Sequence, residues 1–276
     1  MMDIDKPLLK SLLIMADVIE ARDPYTGGHV WRVSQFAKLL ATKIGLPEDE
    51  IIKVSLAAYL HDMGKVSIPD DILKKAEKLS EAEFTIIQTH PQIGGRLLSG
   101  HPLGELVRAA AEEHHERIDG NGYPKGLRGD EISLVSRLVS VADAFDAMTS
   151  TRPYRKGMSV EQALCRLEAG AGTQFDAELV GHMGELGRAG DLDHIVGHSA
   201  DGIPLVTCPH CGPVIAIPRN TKEGDVIYCR ACHSELTLRQ AGNTFEAEMT
   251  GMSDDPRDLE PRVNEDAVED VLEQIG

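Results

Sequence analysis

The sequence predicts a mainly α-helical protein that ends in a small β module. Three observations support this fold class. Helical periodicity dominates residues 1 to about 203, and capping boxes such as Ser80 to Glu83 and Ser159 to Gln162 mark helix starts. From Thr207 to about Met249 this rhythm gives way to short β-type runs. Two cysteine pairs are separated by such runs, which is typical of a small module held together by a metal ion.

The chain divides into four predicted regions, with the helical domain over residues 1–190. Glycines and a proline in the following stretch predict a linker over residues 191–205. The β module takes residues 206–249. The last region, residues 250–276, carries nine acidic residues against Arg257 and Arg262, which predicts a solvated, largely disordered tail.

Composition excludes several classes of function. The 45 acidic and 28 basic residues give a formal net charge of −17, and without a basic stripe we expect no general nucleic-acid binding. The longest apolar run, Ser11 to Val18, is interrupted by Asp17 and is too short to span a bilayer, so we expect no membrane insertion. With no signal peptide and with cysteines spaced for metal, the expected compartment is the reducing cytoplasm.

Five histidines and two aspartates fall at or beside the buried stripes of successive predicted helices: His29, His61, Asp62, His90, His114, His115 and Asp143. Buried polar and charged groups need partners, and mixed imidazole and carboxylate ligands suit Fe, Mn or Zn. Seven ligands are too many for one ion, so we expect two ions that share a carboxylate. Such a pair stabilises an in-line displacement at phosphorus. The alternative, seven ordinary hydrogen-bonded residues, fits the His-Asp and His-His doublets poorly.

The spacing of these residues resembles the HD-GYP phosphodiesterases, a branch of the HD metal-dependent phosphohydrolases. Two signatures carry most of the resemblance: His61-Asp62-Met63-Gly64-Lys65 and His114-His115-Glu116-Arg117-Ile118-Asp119-Gly120-Asn121-Gly122-Tyr123-Pro124. Further motifs extend it over about 165 residues, from Asp23-Pro24-Tyr25-Thr26 to Gln174-Phe175-Asp176. The resemblance implies an all-helical HD-type phosphohydrolase domain. It also implies hydrolysis of cyclic di-GMP to pGpG, and in some relatives on to GMP, with a metal-bridging hydroxide as nucleophile.

Carried over residue by residue, the resemblance makes the seven residues ligands of two divalent metals, with Fe or Mn expected. It makes Asp62 the bridging, catalytic carboxylate. Lys65 resembles the lysine that contacts the scissile phosphate, although a solvated lysine at a helix C-terminus is the alternative. Arg152 and Arg155 resemble the pair that binds the phosphates of the substrate, for which guanidinium groups are well suited.

Two details of the resemblance concern partners and metal number. The loop Asp119 to Pro124 holds two glycines and a proline, which predicts a tight turn, and in the family it is also proposed to meet partner proteins. Some relatives carry a glutamate, four residues before the first histidine, that helps to hold a third metal. Here Tyr25 stands at that position, so we expect two metals, and the final product is left open between pGpG and GMP.

The cysteines Cys208, Cys211, Cys229 and Cys232 form two CxxC pairs separated by seventeen residues. This spacing predicts one tetrahedral structural zinc in a zinc-ribbon-like module, with a redox dithiol as the weaker alternative. Four basic and five acidic residues between Val206 and Glu248 favour protein docking over nucleic-acid binding. We expect the helical domain to keep its activity without this module.

Three functions therefore stand as hypotheses. The first is a cyclic di-GMP phosphodiesterase. The second is a sensor or scaffold that binds the nucleotide without turnover. The third is an HD hydrolase acting on another cyclic nucleotide or on nucleotide phosphates. The presence of every expected ligand favours the first hypothesis.

Overall fold

The computed structural model describes residues 5–75, 77–151, 155–212, 214–242 and 244–275. Over these residues most of the chain is helical, and the helices in chain order are α1 (Lys6–Glu20), α2 (His29–Lys43), α3 (Glu48–Leu60), α4 (Asp70–Leu73), α5 (Glu81–Ile87), α6 (His90–Ser99), α7 (Gly104–Glu113), α8 (Leu134–Thr149), α9 (Val160–Ala169), α10 (Ala177–Ala189) and α11 (Glu265–Glu273). Short 3₁₀ turns at Met63–Ser67 and Gly129–Glu131 complete the helical part.

The strands all lie between α10 and α11: β1 (His198–Ala200), β2 (Ile203–Pro204), β3 (Val206–Thr207), β4 (Val214–Ile215), β5 (Val226–Tyr228), β6 (Ser234–Ala241) and β7 (Thr244–Met252). They form three antiparallel sheets, β1–β2, β3–β4 and β5–β6–β7. The predicted fold class, a helical domain followed by a small β module, is confirmed.

Helix α2 runs through the centre of the helical domain, between α3 and α8. Its residues Val33, Phe36 and Leu40 recur at helical spacing and are fully buried. The ring of Phe36 meets Phe145 of α8 edge-on, with 5.0 Å between ring centroids. This packing fixes the positions of the helices whose ends carry the candidate site.

Local sequence determines where several helices begin. Both predicted capping boxes are present, at Ser80 before α5 and at Ser159 before α9. Residues 81–99 form two helices, α5 and α6, rather than one. Pro91 lies in the first turn of α6, and because proline has no backbone N–H it cannot continue the hydrogen bonds of α5.

The segments predicted as linker and tail are ordered. Residues 191–205 include the β1–β2 hairpin, in which Ser199 and Ala200 are fully buried. The prediction of a disordered tail is wrong, because residues 250–252 complete β7 and α11 buries Ala267, Val268 and Val271. The high acidic content of the tail obscured the helical spacing of these three apolar residues.

Buried polar contacts hold α11 in place. The backbone N–H of Asn264 donates to the carboxylate of Asp17 in α1, and the Tyr59 hydroxyl donates to the same carboxylate at 3.2 Å. Asp270 of α11 accepts from Arg219 at 2.8 Å and from the backbone N–H of Asp201 at 2.5 Å. The end of the chain is thereby tied to both the helical domain and the β module.

Among the described residues, none of the helices has both the length and the apolar character that crossing a membrane requires.

Candidate metal centre

The structure brings all seven predicted ligands together, most of them at helix ends. His29 begins α2 and His90 begins α6. His61 and Asp62 directly follow α3, while His114 and His115 directly follow α7. Asp143 differs in lying in the interior of a helix, α8. These helix ends meet because the helices pack around α2 and α3, which places ligands that are far apart in sequence on one inner surface.

Asp62 lies between two groups of donors. Its Oδ2 is 3.3 Å from His61 Nε2 and 3.6 Å from His29 Nε2. Its Oδ1 is 3.4 Å from His90 Nε2 and 3.9 Å from His114 Nε2. The carboxylate can therefore offer one oxygen to each of two ions.

The remaining ligands sort onto the same two sides of Asp62. Asp143 joins the first group, with its Oδ1 3.5 Å from His29 Nε2. His115 joins the second, and ligand atoms of His90, His114 and His115 all lie within 4.8 Å of one another. Each side thus offers three ligands of its own and one oxygen of Asp62, which fits a dinuclear centre.

Backbone carbonyls set the tautomers of three histidines. The Nδ1 atoms of His61, His90 and His114 lie 2.6, 2.7 and 2.8 Å from the carbonyl oxygens of Ala58, Ile87 and Ala110. Because a carbonyl only accepts, each Nδ1 carries the proton and each Nε2 keeps its lone pair for the site.

Electrostatics favours the ligand form of these groups. Burial lowers the pKa of His90 to about 3 and of His115 to about 4, and it lowers the pKa of His114 well below its usual value. These imidazoles are neutral at pH 7, as metal ligands must be. Burial alone would raise the pKa of Asp62, but the charge of Lys65 and the contacts with His61 and His29 hold it well below its usual range, so the carboxylate is ionised.

Lys65 belongs to the site and is not a solvated lysine. Its Nζ lies 2.5 Å from Asp62 Oδ2, and its side chain is 28% exposed. Burial acts to lower the pKa of Lys65, yet the charge of Asp62 raises it above its usual value, so the ammonium stays protonated. A fixed positive charge therefore lies beside the central carboxylate.

Gly64 allows α6 to approach this centre. A Cβ at Gly64 would lie 1.9 Å from the backbone oxygen of His90 and 2.6 Å from the backbone nitrogen of Gly94. Only glycine permits this contact, which brings His90 within reach of Asp62.

A buried ion pair supports His29, and the sequence analysis missed it. His29 Nδ1 lies 2.7 Å from Asp146 Oδ2, and Arg32 Nε donates to Asp146 Oδ1 at 2.5 Å. Burial lowers the pKa of His29, but the hydrogen bonds with Asp146 and Asp62 outweigh it and raise that pKa to about 9. The available signal was the position of Asp146, three residues after Asp143 and so on a neighbouring helix face.

Two glutamates that the sequence analysis also missed hold the flanking backbone. Glu20 accepts from the backbone N–H groups of His29 at 2.5 Å and Val30 at 3.3 Å, at a helix start where Gly28 offers no side-chain cap. Glu116, 3% exposed, accepts from the N–H groups of Lys125 at 2.6 Å and Leu127 at 3.0 Å. No local sequence pattern predicts these contacts, because they join residues nine or more positions apart.

A sequence profile described as the HD domain matches residues 14–179 of this chain. The chain belongs to the HD domain family. The matched region contains all seven predicted ligands and Lys65 and ends before the strands begin.

Known proteins agree with the resemblance to the HD-GYP branch. The cyclic di-GMP phosphodiesterase response regulator RpfG of Xanthomonas campestris is 42% identical over 202 residues, which are 71% of this chain and 52% of that protein. The 3′3′-cGAMP-specific phosphodiesterase 3 of Vibrio cholerae is 40% identical over 162 residues, which are 58% of this chain and 35% of that protein. The chain thus spans about half or less of the length of these relatives.

A solved structure shows the same fold. It is described as an "HDG"Y"P" protein, Bd1817, from Bdellovibrio bacteriovorus, and it matches with a TM-score of 0.50 and 23% identity, covering 59% of this chain and 52% of that one.

Within the HD domain, the loop Asp119 to Pro124 faces the metal centre on one side. The ring of Tyr123 stacks on His115, with 4.8 Å between ring centroids and 30° between ring planes. At the other end of the loop, Arg117 and Asp119 form an ion pair at 2.7 Å. Tyr123 is therefore part of the wall of the site.

Of the two predicted phosphate-binding arginines, the structure describes one. Arg155 donates from Nη2 to the backbone oxygen of Ala147 on α8, one turn after Asp143. Arg152 lies outside the described residues.

The four cysteines of the β module also come together. The Sγ atoms of Cys211 and Cys229 are 3.4 Å apart, while Cys208 lies 3.7 Å from both Cys211 and Cys232. Four sulfurs bound to one zinc ion at about 2.3 Å lie about 3.8 Å from one another, so the spacing of these four Sγ atoms fits one zinc ion. Cys208 and Cys229 are 1% exposed, as expected for a closed structural site.

Proposed function

We propose that this chain is a metal-dependent phosphodiesterase that hydrolyses cyclic di-GMP to linear pGpG. The observation that carries the proposal is the position of Asp62, with one oxygen toward each of two ligand groups. Its relatives at 40 to 42% identity include enzymes that act on cyclic dinucleotides.

Two ions are proposed, each held by the ligands on one side of Asp62. His29, His61 and Asp143 would hold the first, and His90, His114 and His115 the second. Their mixed nitrogen and oxygen ligands suit iron or manganese. Such a pair of divalent ions supplies Lewis acidity and an acidic bound water for attack at phosphorus.

The charges of the ligands suit a cyclic dinucleotide. When two divalent ions are bound, all five imidazoles are neutral ligands, and His29 must give up the proton that its raised pKa favours in the metal-free protein. The two carboxylates then leave the centre with a net positive charge, which complements the two phosphodiester charges of the substrate. Lys65 adds a further positive charge beside Asp62. This local charge is what lets a chain of net charge −17 attract an anion.

Individual residues have distinct proposed roles. Asp62 would contribute a ligand oxygen to each ion, and Lys65 would stabilise charge that develops on the phosphate. Arg152 and Arg155 are proposed to bind the phosphates. Tyr123, stacked on His115, shields that imidazole from water on one face.

A second candidate substrate is 3′3′-cGAMP, because a relative that is 40% identical is specific for it. Both substrates have the same phosphodiester chemistry and differ in one base. Some relatives hold a third metal with a glutamate at the position of Tyr25. Because Tyr25 offers no carboxylate, we propose pGpG as the main product.

The test is to load the protein with Fe or Mn under reducing conditions. It is then incubated separately with cyclic di-GMP, 3′3′-cGAMP and cyclic di-AMP, and the products are separated by chromatography. We expect pGpG from cyclic di-GMP, and no product after Asp62→Asn. Asp130→Asn is the matched control, because its side chain is 97% exposed and pairs with Arg137.

Arg155→Ala separates substrate binding from metal binding. It should leave two metals bound while nucleotide affinity falls about tenfold, the equivalent of ~1.4 kcal/mol. Binding of cyclic di-GMP by the loaded wild type without any linear product would replace the enzyme by a sensor. Binding of neither nucleotide nor two metals would refute both functions.

We propose that the protein works in the reducing cytoplasm, where the four cysteines stay reduced and can bind zinc as thiolates. A protein partner is proposed to bind either the β module or the Asp119 to Pro124 loop.

A further inference from the structure

The loop of residues 23–28 separates the metal centre from the β module. On one side, Asp23 lines a cavity together with His29, Asp62 and Lys65. On the other side, Gly27 packs on β4, because a Cβ at Gly27 would lie 3.4 Å from the backbone nitrogen of Ala216 and 3.6 Å from the oxygen of Val214. The loop ends at His29, the first proposed ligand.

The cysteine cluster lies close to this loop. Burial and the charge of Asp23 raise the pKa of Tyr25, and Cys211, Cys229 and Cys232 act in the same direction. Arg230, between two of the cysteines, is subject to the charges of both Asp23 and Cys229. The cysteine cluster therefore lies within electrostatic range of this loop, and the packing of Gly27 on β4 is the contact that joins the two.

The strand that contacts the loop has little stability of its own. β4 has two residues, and among the described strands its pairing partner is the two-residue β3. So short a pairing is marginal in water. Cys208 follows β3 directly and Cys211 comes three residues before Val214, so a zinc ion bound by the cysteines would fix both strands.

Rigid contacts connect the loop to the ligand. Gly28 has a φ of +74°, and a Cβ there would lie 2.6 Å from the Cα of Ser199 in β1. Arg32 donates from Nη1 to the backbone oxygens of Gly27 at 2.9 Å and His198 at 2.8 Å. The same guanidinium holds Asp146, which holds His29. A shift of the loop would therefore move His29 Nε2.

We propose that the four-cysteine cluster is a zinc-dependent brace of the HD metal centre. Zinc fixes β3 and β4, β4 fixes residues 23–28, and this loop with Arg32 fixes His29. The inference rests on His29 being a metal ligand, as in the proposed function, but not on the identity of the substrate. It replaces the expectation that the helical domain works without the β module.

The first test removes zinc from the full-length chain with the double change Cys211→Ser and Cys232→Ser. Zinc content should fall by about one equivalent, and hydrogen exchange of residues 23–29 should increase. Affinity of the HD site for Mn²⁺, followed by electron paramagnetic resonance, should fall about tenfold, the range seen when support of a ligand is lost. Cys165→Ser is the matched control, since Cys165 is exposed and outside the cluster.

A second variant covers the case in which the cysteine changes unfold the chain, as judged by circular dichroism. Ala216→Phe places a large ring against Gly27 and leaves the four thiols in place, with Ala216→Ser as control. Zinc should stay at one equivalent while Mn²⁺ affinity again falls about tenfold. An unchanged Mn²⁺ affinity in this variant overturns the brace.

The brace is also overturned if the cysteine variant folds and its Mn²⁺ affinity and turnover stay within about twofold of the wild type. Neither the Mn²⁺ nor the exchange measurement needs a nucleotide. A chain that fails to hydrolyse cyclic di-GMP still tests the brace, whereas full activity without zinc would refute the brace and leave the proposed function intact.

Discussion

Asp146→Asn tests whether the buried ion pair positions the metal centre. Asp146 is fully buried and Arg32 is 1% exposed. The carboxylate oxygens meet Arg32 Nε at 2.5 Å, Arg32 Nη2 at 3.1 Å and His29 Nδ1 at 2.7 Å. Asparagine has nearly the same shape but only one accepting oxygen. Its NH₂ group must face an N–H of either Arg32 or His29, and Arg32 loses its counter-charge.

The expected cost follows from this geometry. Breaking a buried ion pair on one side costs roughly 3–5 kcal/mol, because it leaves an uncompensated charge. At about 2–4 °C per kcal/mol for a chain of this size, the midpoint of thermal unfolding should fall by on the order of 10 °C. Since Asp146 orients His29, Mn²⁺ affinity should fall about 10- to 100-fold.

Calorimetry and a Mn²⁺ titration measure the two effects. Asp130→Asn is the control, because its exposed pairing with Arg137 at 3.4 Å contributes at most about 1 kcal/mol. If Asp146→Asn unfolds within about 2 °C of the wild type and binds Mn²⁺ with unchanged affinity, the reasoning from the buried pair is wrong.

Three further predictions follow from single features. The metal-free protein should be most stable near neutral pH. Because the pKa values of His90 and His115 are lowered in the folded protein, the unfolded chain binds more protons below about pH 6.5, and stability is lost on acidification. The raised pKa of His29 stabilises the folded protein below about pH 6.5, and this contribution is lost as pH rises toward about 9. Thermal melts in chelator across pH 5 to 9 measure this, and a flat profile would contradict it. Gly64→Ala should weaken Mn²⁺ binding, since its Cβ would lie 1.9 Å from the His90 oxygen and α6 must move; unchanged affinity would exclude this close approach. Phe36→Ala should cost about 3–5 kcal/mol in denaturant unfolding, with two metals still bound at saturation, whereas a loss of metal stoichiometry would show that the core and the site are not separable.

The sequence alone predicted which residues make up the candidate metal centre. His61 with Asp62, and His114 with His115, are neighbours in the chain, and helical spacing alone places each pair at the inner end of a helix. The CxxC pairs likewise prescribe the cysteine cluster, because two thiols three residues apart fit one ion. Each of these features depends only on the geometry of residues that are close together in the sequence.

Only the tertiary structure decided what supports that centre. Asp146 meets His29 across 117 positions of sequence, and Arg32 reaches His198 across 166. The acidic tail became a helix because Asn264 and Asp270 find partners in α1 and in the β1–β2 hairpin. The β module, expected to be independent, packs on the loop that leads into His29. No local pattern encodes such contacts, since they exist only after hydrophobic packing has brought distant segments together and left their buried charges to be paired.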